Sequence, residues 1–401
     1  MARDSIVAET AARIFSDFCD PQAVNRAPDE GWKARAWTAL EEAGLALAWV
    51  PESQGGAGAE LADGFAVLRQ AGRFAVALPV AETLLAGWLL SRAGISSPRG
   101  AMSCGPSRQG DRIVLAKGGT LGGRLRANPF AKEATHLALL VERESGGSAV
   151  ALVEASVARI EDGASIAGDA LNAVRLDGIR PLAVKDAPAG TDREALSLMG
   201  ATVRSVQMAG ALEAILDLSV AYANERVAFE RPIAKFQAVQ HNLARLAGEV
   251  AAAIAAAGSA ADAIATASPP PLWGRDREGG TLHGPPLGYP PRLIPPHRGE
   301  GNPVGASGEG NPLAAGFDEG VFLEAASAKI RVGEAAGEGA AIAHQVLGAI
   351  GFTKEHTLHR FTRRLWAWRD DFGNESVWAV KLGNLVAAKG ADGLWPLLAA
   401  R

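Results

Sequence analysis

Residues 225–241 read ERVAFERPIAKFQAVQH. They lie inside a long helical region, from Glu194 to Thr266, that is otherwise very rich in alanine. Small side chains let long helices pack closely, and Pro232 with Ile233 closes a turn between them. Residues 225–241 are therefore predicted to join two long, closely packed helices.

The rest of the chain divides by its periodicity into three parts. Residues 1–100 carry apolar side chains at helical spacing, with Gly44 closing one of the helices. Residues 101–190 contain short β-rich runs, such as HLALLV at 136–141, separated by Gly, Asp and Ser. Residues 191–401 are helical again. We expect a mainly α fold: an N-terminal helical domain, a small β middle domain and a C-terminal domain of four-helix type.

One segment of the C-terminal part, residues 268–312, differs from its surroundings. Of its 45 residues, 21 are Pro or Gly, including half of all the prolines in the chain. Such a composition cannot bury enough apolar surface to offset the entropy of ordering the segment. We expect a disordered insert that the fold tolerates, and the functional alternative is a Pro-rich docking site or a lid.

The overall composition is that of an ordinary soluble protein. Hydrophobic residues make up 48% of the 401 residues, and the net charge of −4 gives no attraction for nucleic acid or anionic membrane. Cys19 and Cys104 are too few for a disulfide scaffold or a cysteine metal cluster. The N-terminus lacks the apolar core of a secretion signal, and no uncharged apolar run of about eighteen residues appears. We expect a cytoplasmic protein without a membrane span.

Three landmarks, in the right order, resemble those of the acyl-CoA dehydrogenase family. The first is WTALEEAGL at 37–45, followed by VPE at 50–52 and GGAG at 55–58. The second is the stretch at 225–241, which is similar to the family's Arg-x-x-Phe-Gly motif and the Gln after it. The third is HQVLGAIGFT at 344–353, which is similar to Gln-x-x-Gly-Gly-x-Gly-Phe. The resemblance implies FAD as cofactor, α,β-dehydrogenation of an acyl-CoA thioester, and a β-barrel-like domain between helical domains.

The resemblance implies that Arg226, Phe229 and Gln237 bind FAD. A planar, charged guanidinium suits a pyrophosphate, an aromatic ring suits an adenine or isoalloxazine edge, and an amide can donate and accept together. The alternatives are a solvated arginine at a helix end, a core phenylalanine and a glutamine that caps a helix. Glu230 replaces the Gly that the family usually has after Phe, and this restricts the backbone.

Gln345, Gly348 and Ala349 resemble the segment that, in the family, contacts the flavin of a neighbouring subunit. The alternative is close helix packing by small residues. The resemblance implies a homodimer or homotetramer, or a hetero-oligomer with a related subunit. It also implies an electron-transfer flavoprotein, or a similar carrier, as the electron acceptor.

The catalytic base is the point at which the sequence departs most from the family. The commonest members carry a Glu before Gly, about twenty residues after the Gly-Phe pair, and counting forward puts Phe372 there. Asp371 is the first substitute and Glu375 the second, unless both acids pair with nearby arginines. Another branch of the family places the base on the helix before Arg-x-x-Phe, where MGATV at 199–203 offers no acid.

Other patterns give no independent site. Residues 101–107 read AMSCGPS, without the Thr-Glu-Pro of the family's flavin-contacting β domain. His356 and His359 could ligate a metal from one helix, but no third ligand is evident, and we predict no metal site. Three hypotheses remain: an active enzyme with a displaced acid, a non-catalytic partner subunit that completes a related chain's flavin site, and an acyl-CoA- or FAD-binding structural relic.

Overall fold

The computed structural model describes residues 6–267 and 317–399. The predicted insert, residues 268–312, lies outside these ranges. The chain opens with five helices, which are α1 (Ile6–Cys19), α2 (Pro21–Arg26), α3 (Gly31–Glu42), α4 (Leu61–Arg73) and α5 (Val80–Arg92). Every residue of α5 from Val80 to Leu90 is buried, so this helix has almost no polar face.

Eight strands of the middle part form one sheet. They are β1 (Met102–Gly105), β2 (Arg112–Leu115), β3 (Leu121–Pro129), β4 (His136–Arg143), β5 (Ser148–Glu154), β6 (Arg159–Glu161), β7 (Leu171–Ile179) and β8 (Ala183–Asp186). Their order is β6-β7-β3-β2-β4-β5-β8, and β1 pairs in parallel with β4.

The central strand β4 is apolar on both faces, because helices cover one face and the sheet encloses its own small core on the other. Ala138 and Leu140 belong to the large core shared with the helices. Leu137, Leu139 and Val141 belong to a second core inside the sheet. The period-two alternation of a strand therefore assigns side chains to two cores rather than to core and solvent.

The C-terminal part is a helical bundle. Its elements are α6 (Arg193–Glu225), β9 (Val227–Ala228), β10 (Arg231–Pro232), α7 (Gln237–Ala267), α8 (Glu319–Leu347), α9 (Leu358–Asp370) and α10 (Glu375–Ala399), the last interrupted at Gly390, where φ is +68°. Gly339 of α8 faces Leu212 and Ile215 of α6 and Leu246 of α7. Beyond these contacts, the last turns of α6 and of α8 both run towards the end of the bundle at which α7 begins.

Helix α6 is in backbone contact with the N-terminal helices. A Cβ on Gly72 of α4 would lie 2.0 Å from the carbonyl oxygen of Gln207, and one on Gly210 would lie 2.1 Å from that of Arg69. Both glycines are therefore required for this close crossing of α4 and α6. The predicted fold class, mainly α with a small β middle domain, is confirmed.

Two helices have the length and hydropathy of a membrane span, α6 and α7. In α6, 61% of the apolar window is buried inside the protein, whereas in α7 the share is 33%. Helix α6 packs against α4, α7 and α8, which is the arrangement of a core helix. Length and composition are thus weak evidence for a membrane span in this fold.

The hairpin between α6 and α7 holds two consecutive residues in the left-handed region. Phe229 and Glu230 join β9 to β10, with φ of +50° and +65°. A two-residue loop with positive φ at both positions suits the twist of a hairpin, and glycine is favoured there. Glu230 therefore adopts, with a Cβ, the conformation for which the related motif has glycine.

We expect Glu230→Gly to raise the free energy of unfolding by about 0.5–1 kcal/mol. Glycine removes the left-handed penalty, and this gain exceeds the entropy that glycine adds to the unfolded chain. Urea denaturation measures the change. Ala228→Gly, in the neighbouring strand, is the matched control and should lower stability, whereas a Glu230→Gly variant that is less stable than wild type would contradict the prediction.

Candidate functional site

The position that the motif count assigns to the catalytic base is occupied by a buried phenyl ring. Phe372 follows α9, with φ of +56°. Its ring lies on Gly200 of α6, because a Cβ built on Gly200 would be 2.4 Å from the ring carbons. Gly200 belongs to the segment 199–203, where another branch of the family carries its base. The two alternative base positions therefore meet in space, and neither carries an acid.

The backbone of Phe372 is fixed from two sides. Its N–H donates to the carbonyl oxygen of Ser107, in the loop between β1 and β2, at 3.2 Å. Its own carbonyl oxygen accepts from Nε1 of Trp378, the one fully buried residue of α10, at 2.9 Å. The ring is thus held in place by the middle and the C-terminal parts of the chain together.

Asp371 is buried beside Phe372, and both of its carboxylate oxygens are ion-paired. Oδ2 accepts from Nε of Arg204 at 3.0 Å and lies 2.9 Å from Nη2 of the same residue. Oδ1 lies 3.1 Å from Nη2 of Arg108. The carboxylate is therefore held by one guanidinium from α6 and one from the β1–β2 loop.

Arg204 is the centre of this buried network. Its guanidinium also donates to Oε1 of Glu82 on α5, and to Oε1 of Gln207 at 2.6 Å. Burial alone would lower the pKa of Arg204, but the carboxylates of Glu82 and Asp371 outweigh it and raise that pKa. Burial raises the pKa of Glu82, and Arg204 opposes this shift. One arginine thus joins the N-terminal helices, the bundle and, through Asp371, the β1–β2 loop.

A buried lysine closes the end of α9 next to the network. Nζ of Lys329, on α8, donates to the carbonyl oxygens of Trp368 at 2.8 Å and Arg369 at 3.0 Å. Burial lowers the pKa of Lys329 to about 7. An ammonium suits these last carbonyls of a helix, which have no partner within the helix itself.

Glu375, the second candidate base, is engaged elsewhere. Its Oε1 accepts from Nε of Arg369 at 2.6 Å. A Cβ on Gly333 of α8 would lie 2.6 Å from Cγ of Glu375, so the side chain runs along that helix. The sequence analysis left open that these acids pair with nearby arginines. Glu375 does so, through Arg369. Asp371 pairs instead with arginines that are distant in sequence.

The residues predicted to bind FAD through the second landmark lie on an exposed surface. Arg226 follows α6 directly, Gln237 begins α7, and both are exposed. Phe229 is 88% exposed, which rules out the core phenylalanine considered as the alternative. Its ring lies 6.2 Å from that of Phe236, edge to face. All three side chains can therefore reach a molecule outside this chain.

The residues predicted from the third landmark lie at the same end of the bundle. Gln345 and Ala349 are exposed, and Gly348 has φ of +61° with nothing within 4 Å of the position of a Cβ. The ring of Tyr222, near the end of α6, is 6.5 Å from that of His356, which follows this segment. The structure thus brings the two groups of predicted cofactor residues to one face.

This face is far from the predicted base. Along α6, the rise from Gly200 to Glu225 is about 38 Å. The predicted cofactor residues and the surroundings of Phe372 therefore lie near opposite ends of α6.

Sequence reasoning missed Arg204, Glu82 and Lys329, although each leaves a signal. Glu82 and Arg204 are each a lone charge in a long apolar helical run, where an unpaired charge is too costly to bury, whereas Lys329 lies among other charged residues of α8 and gives a weaker signal. Such a charge predicts a partner from another element. The partner itself is fixed by tertiary packing, which periodicity does not encode.

We expect Arg204→Met to lower the free energy of unfolding by about 3–5 kcal/mol, because Glu82 is then buried without a partner. The double variant Glu82→Gln/Arg204→Met removes the stranded charge and should recover more than half of that loss. Urea denaturation of both variants gives the two values. Equal instability of the single and double variants would show that charge pairing is not what holds this site.

The C-terminal part of the chain matches the family model described as acyl-CoA dehydrogenase, C-terminal domain, over residues 197–276. The chain is 29% identical, over 269 residues, to acyl-CoA dehydrogenase IpdE2 of Mycolicibacterium smegmatis, covering 66% of this chain and 77% of that protein. Its fold is similar to that in the crystal structure of the ChsE4-ChsE5 complex from Mycobacterium tuberculosis, with a TM-score of 0.74 and 19% identity over 96% of this chain and 97% of that chain.

A further relative, acyl-CoA dehydrogenase IpdE2 of Mycobacterium tuberculosis, is 30% identical over 261 residues, which cover 64% of this chain and 74% of that protein. Identity at this level over most of a relative's length establishes common descent. The predicted family is thereby confirmed. This chain belongs to the acyl-CoA dehydrogenase family.

Proposed function

We propose that this chain is one subunit of a flavin-dependent acyl-CoA dehydrogenase whose catalytic carboxylate comes from a second, related chain. The family catalyses the α,β-dehydrogenation of acyl-CoA thioesters, and this chain is a member of it. One observation carries the proposal. The ring of Phe372 rests on Gly200, so the place where the two family branches carry their base holds an aromatic ring and no acid.

The chemistry explains why this observation favours a partner chain over a chain that works alone. Dehydrogenation starts when a carboxylate removes the α-proton of the thioester, and the carboxylate must come within about 3 Å of it. A phenyl ring cannot accept a proton, and here it also fills the space beside α6. The oxygens of Asp371 already face Arg204 and Arg108, and Glu375 faces Arg369.

The family's cofactor is FAD, and the residues of this chain fit one part of it. Arg226, Gln237 and Gln345 present exposed hydrogen-bonding groups at one end of the bundle, and Gly348 borders open space. Such a surface suits the pyrophosphate and adenosine of a dinucleotide. When bound, the flavin would accept the β-hydrogen as hydride.

The other part of this chain does not fit the flavin ring. The β1–β2 loop replaces the segment that contacts the ring in the family, yet Ser107 accepts from Phe372 and Arg108 pairs with Asp371. Loop and bundle are therefore in direct contact beside Phe372. These contacts support a flavin whose ring is held by another chain.

The relatives support a partner of the same family. The ChsE4-ChsE5 structure is a complex of two differently named chains. For the present chain, we propose a hetero-oligomer with a related subunit, acyl-CoA as its substrate and an electron-transfer flavoprotein or similar carrier as its acceptor, in the cytoplasm. A homo-oligomer of this chain alone is the alternative.

Purification of the tagged chain from its own cells tests the proposal. We expect it to bring down a second acyl-CoA dehydrogenase chain, with about one FAD for each pair of unlike chains and flavin that acyl-CoA reduces. Absorbance of the flavin, together with the mass of the complex, gives this ratio. A homo-oligomer with one reducible FAD per chain would refute the proposal, and so would a complex that never binds flavin.

The prediction that Asp371 is the base, with Glu375 second, is tested in the same preparation. If Asp371 removes the α-proton, Asp371→Asn should slow flavin reduction by about 10²–10⁴-fold while FAD stays bound. Under the proposal made here, the rate should stay within about threefold, because the base lies in the other chain. Stopped-flow absorbance measures it, with Glu375→Gln as the matched variant.

A further inference from the structure

Four arginines lie side by side across the outer face of the middle-domain sheet. The strand register pairs Arg112 of β2 with Arg124 of β3, Arg124 with Arg175 of β7, and Arg175 with Arg159 of β6. Directly paired residues of neighbouring strands point to the same face of a sheet. On each of the four strands an adjacent residue packs in the core inside the sheet, so the arginines face outwards. We call this row of four residues the arginine ladder.

The ladder carries more positive charge than the acids beside it neutralise. Arg112 forms an ion pair with Glu142 of β4. Glu161 of β6 is shared by the other three guanidiniums, at distances of 3.4–4.0 Å between its carboxylate oxygens and their nitrogens. The four side chains are still 41–74% exposed. Within the described part of the chain, two carboxylates therefore serve four guanidiniums.

Stability does not explain this arrangement. Like charges directly opposite one another on neighbouring strands destabilise a sheet. A charged side chain on an edge strand can prevent pairing with other chains, and Arg159 lies on such a strand, β6. The other three arginines lie on β7, β3 and β2, which are interior strands with no edge to protect. A local arrangement that costs stability is expected where it serves binding.

The spacing of the ladder suits an extended chain of carboxylates. Neighbouring strands are about 4.8 Å apart, so the ladder spans about 14 Å. Side chains at alternate positions of an extended peptide point the same way, and three of them span about 13 Å. The planar forks of four guanidiniums can therefore receive three such carboxylates. Gly122 and Ala173, in the rows on either side of the ladder, leave room for the backbone of the segment.

The same face disfavours a nucleic acid. Glu142, Glu161 and the exposed Asp177 flank the ladder. A nucleic acid carries a charge on every phosphate and would meet these carboxylates, whereas a peptide can place uncharged residues beside them. The net charge of −4 also gives no general attraction for polyphosphates.

We propose that the arginine ladder is a docking surface for an extended acidic segment of another protein, with its acids at alternate positions. The partner's carboxylates are shared between neighbouring guanidiniums, as the carboxylate of Glu161 already is. The surface belongs to the middle domain of this chain, and the proposal does not rest on the proposed function.

The test uses the protein as it is purified, with any related subunit still bound. The probe is a fluorescein-labelled peptide of nine residues in which Glu alternates with Thr, and its binding is measured by fluorescence anisotropy. We expect saturable binding that weakens as NaCl is raised from about 50 mM to about 500 mM. The same peptide with Gln in place of Glu should not bind. Arg124→Gln/Arg175→Gln, which removes the centre of the ladder, should weaken binding at least about tenfold.

The matched control is Arg99→Gln/Arg180→Gln, which removes two exposed arginines outside the ladder and gives the same net charge. It should change the affinity less than about twofold. Equal binding of the acidic peptide by the two double variants would overturn the proposal, as would wild-type binding that does not depend on salt. Tighter binding of labelled oligothymidylate than of the peptide would make the face a nucleic-acid surface. Loss of a related subunit from Arg124→Gln/Arg175→Gln alone would make it a subunit interface, which also overturns the proposal. The salt titration of the wild type needs no variant, so the test stands even if a variant fails to fold.

Discussion

The arrangement of the whole chain depends on one desolvated guanidinium, that of Arg204. A charge on the buried face of α6 can persist only if carboxylates come to it, and Glu82 of α5 and Asp371 after α9 both lie against its Nη2. Asp371 in turn forms an ion pair with Arg108 of the middle domain. The N-terminal helices, the middle domain and the bundle are thereby joined by one continuous network of ion pairs. Both signs of charge in this network are supplied by the chain itself.

Much of the fold could be predicted from the sequence, because it rests on local signals. The helical spacing of apolar residues within 1–100, the β-rich run at 136–141 and the alanine-rich region around Arg226 each specify elements without reference to the rest of the chain. The family landmarks then gave the order of the domains and the residues of the exposed bundle end. Phe229 was the ambiguous case, since a phenylalanine in a helix-joining loop is as compatible with a core as with a surface, and its exposure is decided by the hairpin turn.

The interior of the site could not be predicted in the same way. Motif counting found that Phe372 stands where a glutamate is expected, but the contact of its ring with Gly200 joins residues that are far apart in sequence. Asp371 has the charge and the position of a substitute base, and only the approach of Arg204 and Arg108 from two other elements shows that its oxygens are engaged. Charge pairing across domains is set by tertiary packing, so a single sequence does not show which charged residues pair with each other.

The contact between Phe372 and Gly200 also bears on the history of this lineage. A side chain at Gly200 is barred while the ring is present, and removal of the ring leaves a cavity against α6. A glutamate at Phe372 would bring a third carboxylate beside Glu82 and Asp371, next to a guanidinium that they already share. No single substitution therefore restores a proton acceptor without a loss of stability. Under the proposed function, a return to catalysis by this chain alone would therefore require several simultaneous mutations, so the chain would depend on the partner that carries the acid.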